Sequence, residues 1–159
     1  MQLYLDQVYS GQNHNQENMV PSTHPASFGL IVVHDWPIYD GPDPKSSTIV
    51  AHARGVTIQA DQSTPGWYSS LNIEFVDDRF NGSKLQVMGT TPENGEWAIV
   101  GGTGEFSMAY GTIVHTMVKH NVGTEALRKL DIHAFYTPKT AQTVHDTLIT
   151  PKCTAGQAE

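Results

Sequence analysis

Short stretches of alternating or β-branched apolar residues, separated by turn residues, are the feature that most restricts the fold of this chain. The alternation is clearest in residues 67–76, where Leu71, Ile73 and Phe75 share one face of an extended chain. Glycine, proline, asparagine and aspartate are concentrated between the stretches, as expected of turns. The predicted strands are 3–9, 28–35, 47–60, 67–76, 85–89, 96–100, 108–120 and 125–137. We therefore predict an all-β fold.

Three segments of the chain have patterns that differ from simple alternation of apolar and polar residues. Residues 11–27 are polar and lack a period, so we predict a loop there. Residues 28–35 are almost continuously apolar and end before Pro37, which is typical of a strand covered on both faces. Residues 125–137 begin with a pattern that fits a helix, but the alternation of Leu130 and Ile132 favours a strand.

Several polar residues stand inside the predicted strands. They are Gln7, His34, His52, Asn72, Glu74 and Thr112. Such residues are expected where strands surround a cavity, whereas the core between two packed sheets is dry. We therefore favour a closed barrel with a polar-lined mouth or cavity over a β-sandwich.

Residues 100–111 contain the densest group of glycines, which permits a sharp reversal between two strands. Glu105 and Tyr110 lie inside this reversal. A carboxylate and a phenol held there could line a binding pocket, or they could be solvated turn residues. Both interpretations are open at this point.

Composition limits the classes of partner. The chain has 159 residues and a formal net charge of −7, which argues against a nucleic acid or an anionic membrane surface as partner. Cys153 is the sole cysteine, so no intramolecular disulfide can form. No signal-like start and no apolar run of ~18 residues are present. We expect a cytoplasmic protein with one domain over residues 1–137, followed by a linker or tail over 138–159.

No familiar catalytic or cofactor motif is present. The eight histidines lack the spacing of a metal site, and the glycines of 101–104 are not followed by the residues of a phosphate-binding loop. A serine nucleophile elbow is also missing. We expect no metal, no cofactor and no oxidase or hydrolase activity.

Three motifs in sequence order resemble the dirigent domain. They are FG followed by VVHDWP (28–37), VAHARG (50–55) and GGTGEF with a later glycine (101–111). The resemblance runs from about residue 3 to residue 136. It implies an eight-stranded antiparallel β-barrel that forms homo-oligomers, dimers or trimers. It also implies a role in steering the coupling of phenoxy radicals made by a separate oxidase, or in dehydrating phenolic intermediates.

The local sequence is most similar to the dirigent-like half of chimeric grass lectins. In those proteins a jacalin-related, mannose-type lectin domain follows the dirigent domain. The similar segments are LYLDQVYSGQN, VVHDWPIYDGPDP and SLNIEFVDDRFNG. This resemblance implies that a C-terminal lectin domain belongs to the natural chain. It also implies a role in plant defence or stress.

The chain departs from the family pattern at three polar positions. The resemblance places an acid at position 7, an acid at 105 and an arginine at 110, whereas this chain has Gln7, Glu105 and Tyr110. Asp6 cannot replace the first acid, because adjacent strand residues face opposite sides. Acid–base chemistry depends on accurately placed charged groups, so we expect it to be absent or altered.

These departures favour a non-catalytic, carbohydrate-binding module. Its expected ligand-binding residues are Gln7, Asp35, Trp36, Glu105 and Tyr110, which supply hydrogen-bonding groups and aromatic faces. One alternative is retained dirigent chemistry on a phenolic compound, with Glu105 as acid or base. A second alternative is a protein-assembly module that clusters partner enzymes such as plant β-glucosidases.

Overall fold

The computed structural model describes residues 1–138, and nine strands make up most of this part of the chain. They are β1 (Gln2–Val8), β2 (Gln16–Val20), β3 (Ile31–Tyr39), β4 (Ile49–Gln59), β5 (Trp67–Phe75), β6 (Lys84–Thr90), β7 (Asn94–Thr103), β8 (Tyr110–Asn121) and β9 (Glu125–Phe135). A 3-10 helix, Gly104–Phe106, joins β7 to β8. Nearly all of the predicted tail at 138–159 lies outside the described residues. Within the described residues, no helix is long and apolar enough to cross a membrane.

The strands form one antiparallel sheet that closes on itself. Its order is β1-β9-β8-β7-β6-β5-β4-β3, and pairing of β1 with β3 completes an eight-stranded barrel. The β1–β9 contact spans seven residue pairs, from Gln2–Asp131 to Val8–Glu125. The β1–β3 contact has only Tyr4–Tyr39 and Leu5–Ile38. The predicted eight-stranded antiparallel barrel is confirmed, including the strand at 125–137.

The prediction of a continuous loop over 11–27 is wrong. Strand β2 pairs with the first half of β3, from Gln16–His34 to Val20–Ile31, with a bulge between Asn18 and Val20. Its side chains are mostly exposed, so burial imposed no apolar period on its sequence. Backbone pairing with an otherwise open edge of β3 holds it in place instead.

Strand β3 also differs from its prediction. It continues through Pro37 to Tyr39, and its residues alternate between buried and exposed positions, with Val33 43% exposed. The strand is therefore covered on one face only. Pro37 lies between the residues that pair with β2 and those that pair with β1, where its missing N–H leaves no ladder bond unmade.

The barrel interior has two different ends. At one end, where β7 stops and β8 starts, Phe106 packs against Phe75, Phe80 and Tyr136, with ring centroids 4.9–5.2 Å apart. We call this the plugged end. The opposite end, where β1 stops and β3 starts, is the open end. The apolar core fills the barrel between the two.

Candidate binding cavity

A cavity of about 530 Å³ occupies the open end of the barrel. This volume lies in the range typical of small-molecule sites, about 300–1,000 Å³. The lining residues are aromatic (Tyr9, Trp36, Trp67), apolar (Leu30, Val32, Pro65, Pro92, Met117), polar (Gln7, Gln16, Asn18, Thr57, Thr91) and titratable or charged (Glu93, His120, Arg128). A cavity is therefore present as predicted, but its wall is mainly apolar with a small polar region. Of the six polar strand residues that suggested it, only Gln7 belongs to the lining.

The residues of the polar region occupy inward-facing positions of their strands, as the residues of the apolar core do. In β1, Leu3, Leu5 and Gln7 point inward, so Gln7 is the last inward residue before the open end. In β9, Ala126, Arg128 and Leu130 point inward in the same way. The register pairs Gln7 with Ala126, which sets Arg128 on the diagonal from Gln7.

Arg128 is the central charged group of the cavity and is only 5% exposed. Its Nε donates to Gln7 Oε1 at 2.9 Å. Its Nη1 faces the carbonyl oxygens of Pro92 at 2.9 Å and Glu93 at 3.0 Å, and His115 Nδ1 at 3.1 Å. These four acceptors hold the guanidinium in a fixed orientation.

His115 is neutral in this arrangement. A guanidinium can only donate, so the Nδ1 of His115 must accept, and the ring proton resides on Nε2. Burial and, secondarily, the charge of Arg128 lower the pKa of His115 to about 4. The imidazole therefore supports Arg128 without adding a second positive charge.

Trp36 forms part of the aromatic wall. Its ring stacks on His34, with centroids 3.5 Å apart and an interplanar angle of 5°. Its Nε1 donates to Gln16 Oε1 at 3.0 Å, which links β3 to the short strand β2. The partly exposed Trp67, at the start of β5, contributes another aromatic surface to the cavity. The cavity thus combines fixed ring surfaces with a fixed cation.

A chain of hydroxyl groups runs beneath another part of the wall. Thr57 Oγ1 and Ser69 Oγ are 2.9 Å apart, Ser69 Oγ and Thr91 Oγ1 are 2.7 Å apart, and Trp97 Nε1 donates to Thr91 Oγ1 at 3.2 Å. The buried polar atoms of this chain are satisfied, so it rigidifies the wall at little cost.

Only two of the five predicted ligand-binding residues line the cavity, namely Gln7 and Trp36. Asp35 lies on the outer face of the barrel. Its carboxylate is 2.7 Å from His52 Nδ1 and accepts from Arg54 Nε at 3.1 Å. This ion-pair cluster faces solvent because Asp35 alternates with the inward residues His34 and Trp36.

Glu105 and Tyr110 lie at the plugged end, opposite the cavity. Glu105 belongs to the 3-10 helix, and its backbone N–H donates to Ser83 Oγ at 3.1 Å. Tyr110 is 65% exposed and stacks on Phe135 with centroids 5.4 Å apart. The structure therefore does not bring the five predicted residues together on one surface.

Sequence reasoning missed Arg128, His115 and Trp67 as residues of the cavity or its support. The signal was available in the alternation itself. Counting back by two from Leu130 reaches Arg128, and counting back by two from Ser69 reaches Trp67. Interior-facing residues alternate with exterior ones along every strand of a barrel, so this spacing could have assigned Arg128 and Trp67 to the interior.

The comparisons with known proteins agree with this architecture. A family model described as "Dirigent-like protein" matches residues 1–135. The chain belongs to the dirigent family. Dirigent protein 11 of Arabidopsis thaliana is 31% identical over 118 residues, which cover 70% of this chain and 61% of that protein. Pterocarpan synthase 1 of Glycine max is 37% identical over 89 residues, which cover 53% of this chain and 47% of that protein.

The dirigent fold is matched over a larger share of the chain. The solved structure of a pterocarpan synthase dirigent protein has a TM-score of 0.79 and 28% identity, covering 86% of both chains. By sequence, the chain spans less than two thirds of the length of the two relatives named above. The relatives named here are dirigent proteins and a pterocarpan synthase, so a link to jacalin-related lectins stays a prediction. The expectation of a non-enzymatic protein also stays a prediction, because one relative is a synthase by name.

Proposed function

We propose that this dirigent protein binds a phenolic molecule in the open-end cavity and directs its coupling or dehydration. The observation that carries the proposal is the combination, in one cavity of about 530 Å³, of aromatic walls with the buried cation Arg128. Aromatic faces cover a planar ring, and a few fixed polar groups choose its orientation. The pterocarpan synthase similarity supports the same class of ligand.

To direct the stereochemistry of a reaction, the cavity must orient the bound molecule, and this matters more than acid or base groups. A phenoxy radical or an electron-deficient phenolic intermediate reacts on the face that the cavity leaves open. For a dehydration, a proton must also move to the departing hydroxyl group. Tyr9, Glu93 and His120 are the titratable groups near the mouth, apart from Arg128, that could supply or accept it.

The proposal is tested with two substrates and one pair of variants. Coniferyl alcohol with a one-electron oxidant tests coupling. A phenolic benzylic alcohol that loses water as a second phenol group of the same molecule closes a ring tests dehydration, and the enantiomeric excess of each product is the measurement. We expect an excess with the native chain, and a loss of at least half of it in Trp67→Leu. Tyr68→Leu is the matched control, since Tyr68 lies next to Trp67 but is not part of the cavity lining. Racemic product from both reactions would refute the proposal.

Carbohydrate binding receives less support than phenolic binding. A sugar site made of Gln7, Asp35, Trp36, Glu105 and Tyr110 would need these side chains on one surface. Calorimetric titration with simple oligosaccharides tests the carbohydrate-binding hypothesis. Sugar binding that is weakened by Asp35→Asn or Glu105→Ala would support this hypothesis. Two further proposals concern the outer faces of the barrel. Homo-oligomerisation through these faces would be tested by sedimentation analysis, and the clustering of β-glucosidases would be tested by co-purification.

A further inference from the structure

The charge of Arg128 lacks a counter-ion within residues 1–138. All four of its hydrogen-bond acceptors are neutral, being one amide oxygen, two carbonyl oxygens and one imidazole nitrogen. None of the ion pairs in the described part of the chain includes Arg128. A buried cation without an anionic partner is costly, because neutral dipoles replace only part of its hydration.

The neighbouring titratable groups do not provide this partner. Glu93 lies on the turn before β7, but its carboxylate is 71% exposed and faces His120 Nδ1 at 3.8 Å. Directly after β1, the hydroxyl of Tyr9 donates to Gln7 Oε1 at 3.4 Å, and burial raises the pKa of Tyr9, so its phenol stays neutral. On β8, His115 is neutral, and an imidazole such as that of His120 cannot supply a negative charge. The cavity therefore presents one fixed positive charge.

The guanidinium also has unused donor capacity. Its Nε and Nη1 make all of its hydrogen bonds within residues 1–138, whereas Nη2 makes none there. Anchoring the turn at Pro92–Glu93 needs only Nη1. A free guanidinium edge beside a cavity is suited to an anionic oxygen, which arginine binds through charge-assisted hydrogen bonds.

We infer that the ligand of this cavity is an aromatic compound with an ionised oxygen, a phenolate or a carboxylate, which pairs with Arg128. The inference rests on the proposed function and narrows its substrate class. Gln7 and His115 act as positioning residues that hold the guanidinium edge toward the ligand. The aromatic walls then cover the ring that carries the anion.

Binding of two nearly identical probes tests the inference. 4-Hydroxycinnamate carries a carboxylate at neutral pH, and its methyl ester does not. Quenching of tryptophan fluorescence, or calorimetry, gives the affinity of each. We expect the acid to bind about tenfold or more tightly than the ester, and Arg128→Gln to remove this difference. The matched control is Lys129→Gln, which removes the same charge from the outward-facing neighbour of Arg128.

A second variant keeps the test valid if Arg128→Gln does not fold. Gln7→Glu places a carboxylate where an amide oxygen lies 2.9 Å from Arg128 Nε. This internal counter-ion should weaken binding of the acid by about tenfold relative to binding of the ester, and the variant should keep a cooperative thermal transition. Phenolate binding is tested separately. The affinities for a neutral phenol and for its O-methyl ether are measured at several pH values and compared.

The possible outcomes separate the inference from the proposed function. Equal affinity for acid and ester in the native chain, with no rise in the affinity for the phenol over that for its O-methyl ether as the pH is raised, overturns the inference alone. An acid affinity that neither variant changes also overturns it. Arg128-dependent binding of the acid together with racemic reaction products supports the anion site and overturns the directing function. Binding of neither probe, with racemic products, overturns both.

Discussion

At the scale of single residues, the two histidines that are buried within residues 1–138 show how the barrel interior fixes protonation. His34 is 4% exposed, and its Nδ1 donates to the Ala53 carbonyl at 3.1 Å, so its proton lies on Nδ1. His115 is completely buried and carries its proton on Nε2, because Arg128 donates to its Nδ1. Burial is the main reason that the pKa of each ring is lowered to about 4. Both are neutral members of the inner wall.

Stability should therefore fall as the medium becomes mildly acidic. In the unfolded chain these histidines bind a proton near their ordinary pKa of 6.5, whereas in the folded barrel they do so only near 4. Their stabilising contribution is present above 6.5 and is lost as the pH falls toward 4. We expect the unfolding free energy to drop by about 2 kcal/mol per histidine between pH 7 and pH 5.

Urea unfolding at several pH values measures this effect, and the imidazole resonances in NMR spectra identify its source. Two of the histidines should remain neutral well below pH 6 in the folded state. A free energy of unfolding that is constant between pH 7 and pH 5 would contradict the assignment of His34 and His115 as buried neutral groups.

At the scale of secondary-structure elements, the pairing of β8 with β9 depends on close backbone contact. Gly111 has a φ of 145°, and a Cβ added there would lie 2.0 Å from the carbonyl oxygen of His133. Gly111 pairs with Ala134 in the ladder, so neither strand can retreat without losing hydrogen bonds. The glycine that follows the turn is therefore required by the packing of two strands.

Gly111→Ala should destabilise the protein by at least about 2 kcal/mol, because the methyl group would force the β8 and β9 backbones apart. Gly123→Ala is the matched control. Gly123 also has a positive φ, of 73°, but a Cβ there would meet no atom within 4 Å. It should cost about 1 kcal/mol from conformation alone. Chemical denaturation measures both, and equal losses would rule out the steric explanation.

At the scale of the whole molecule, the barrel separates stability from binding along its axis. The plugged end is packed with aromatic rings around the fully buried Phe106. The open end holds the cavity and its polar groups. An eight-stranded barrel is wide enough for one small ligand at most, so plugging one end leaves the other as the ligand-binding end.

Phe106→Ala should cost about 3–5 kcal/mol of unfolding free energy, because it leaves a cavity among Phe75, Phe80 and Tyr136. It should leave the affinity of the cavity for 4-hydroxycinnamate within about twofold of the native value, since the substitution lies at the far end. Phe135→Ala provides the control at an exposed phenylalanine, 60% accessible, and should cost less than about 1 kcal/mol. A large loss of affinity in a folded Phe106→Ala variant would show that the two ends are coupled.

Much of the barrel could be predicted from the sequence, because the alternation of apolar residues is a local property of each strand. Leu71, Ile73 and Phe75 are buried as their spacing requires. The same rule places Asp35 and Tyr110 on outward faces, so their spacing argues against a position in the barrel interior. Strand β2 escaped prediction because an exposed edge strand has no buried face to leave a pattern.

The sequence by itself determined that the chain is all-β and which side chains point inward, since a two-residue period assigns faces without knowledge of the neighbouring strand. Only the tertiary structure decided which end of the barrel is plugged and which inward residues share a cavity. Arg128 donates to Gln7, which is 121 positions away in the chain. That contact exists because β1 pairs with β9 in one register, and closure of the barrel sets this register through contacts that no local pattern encodes.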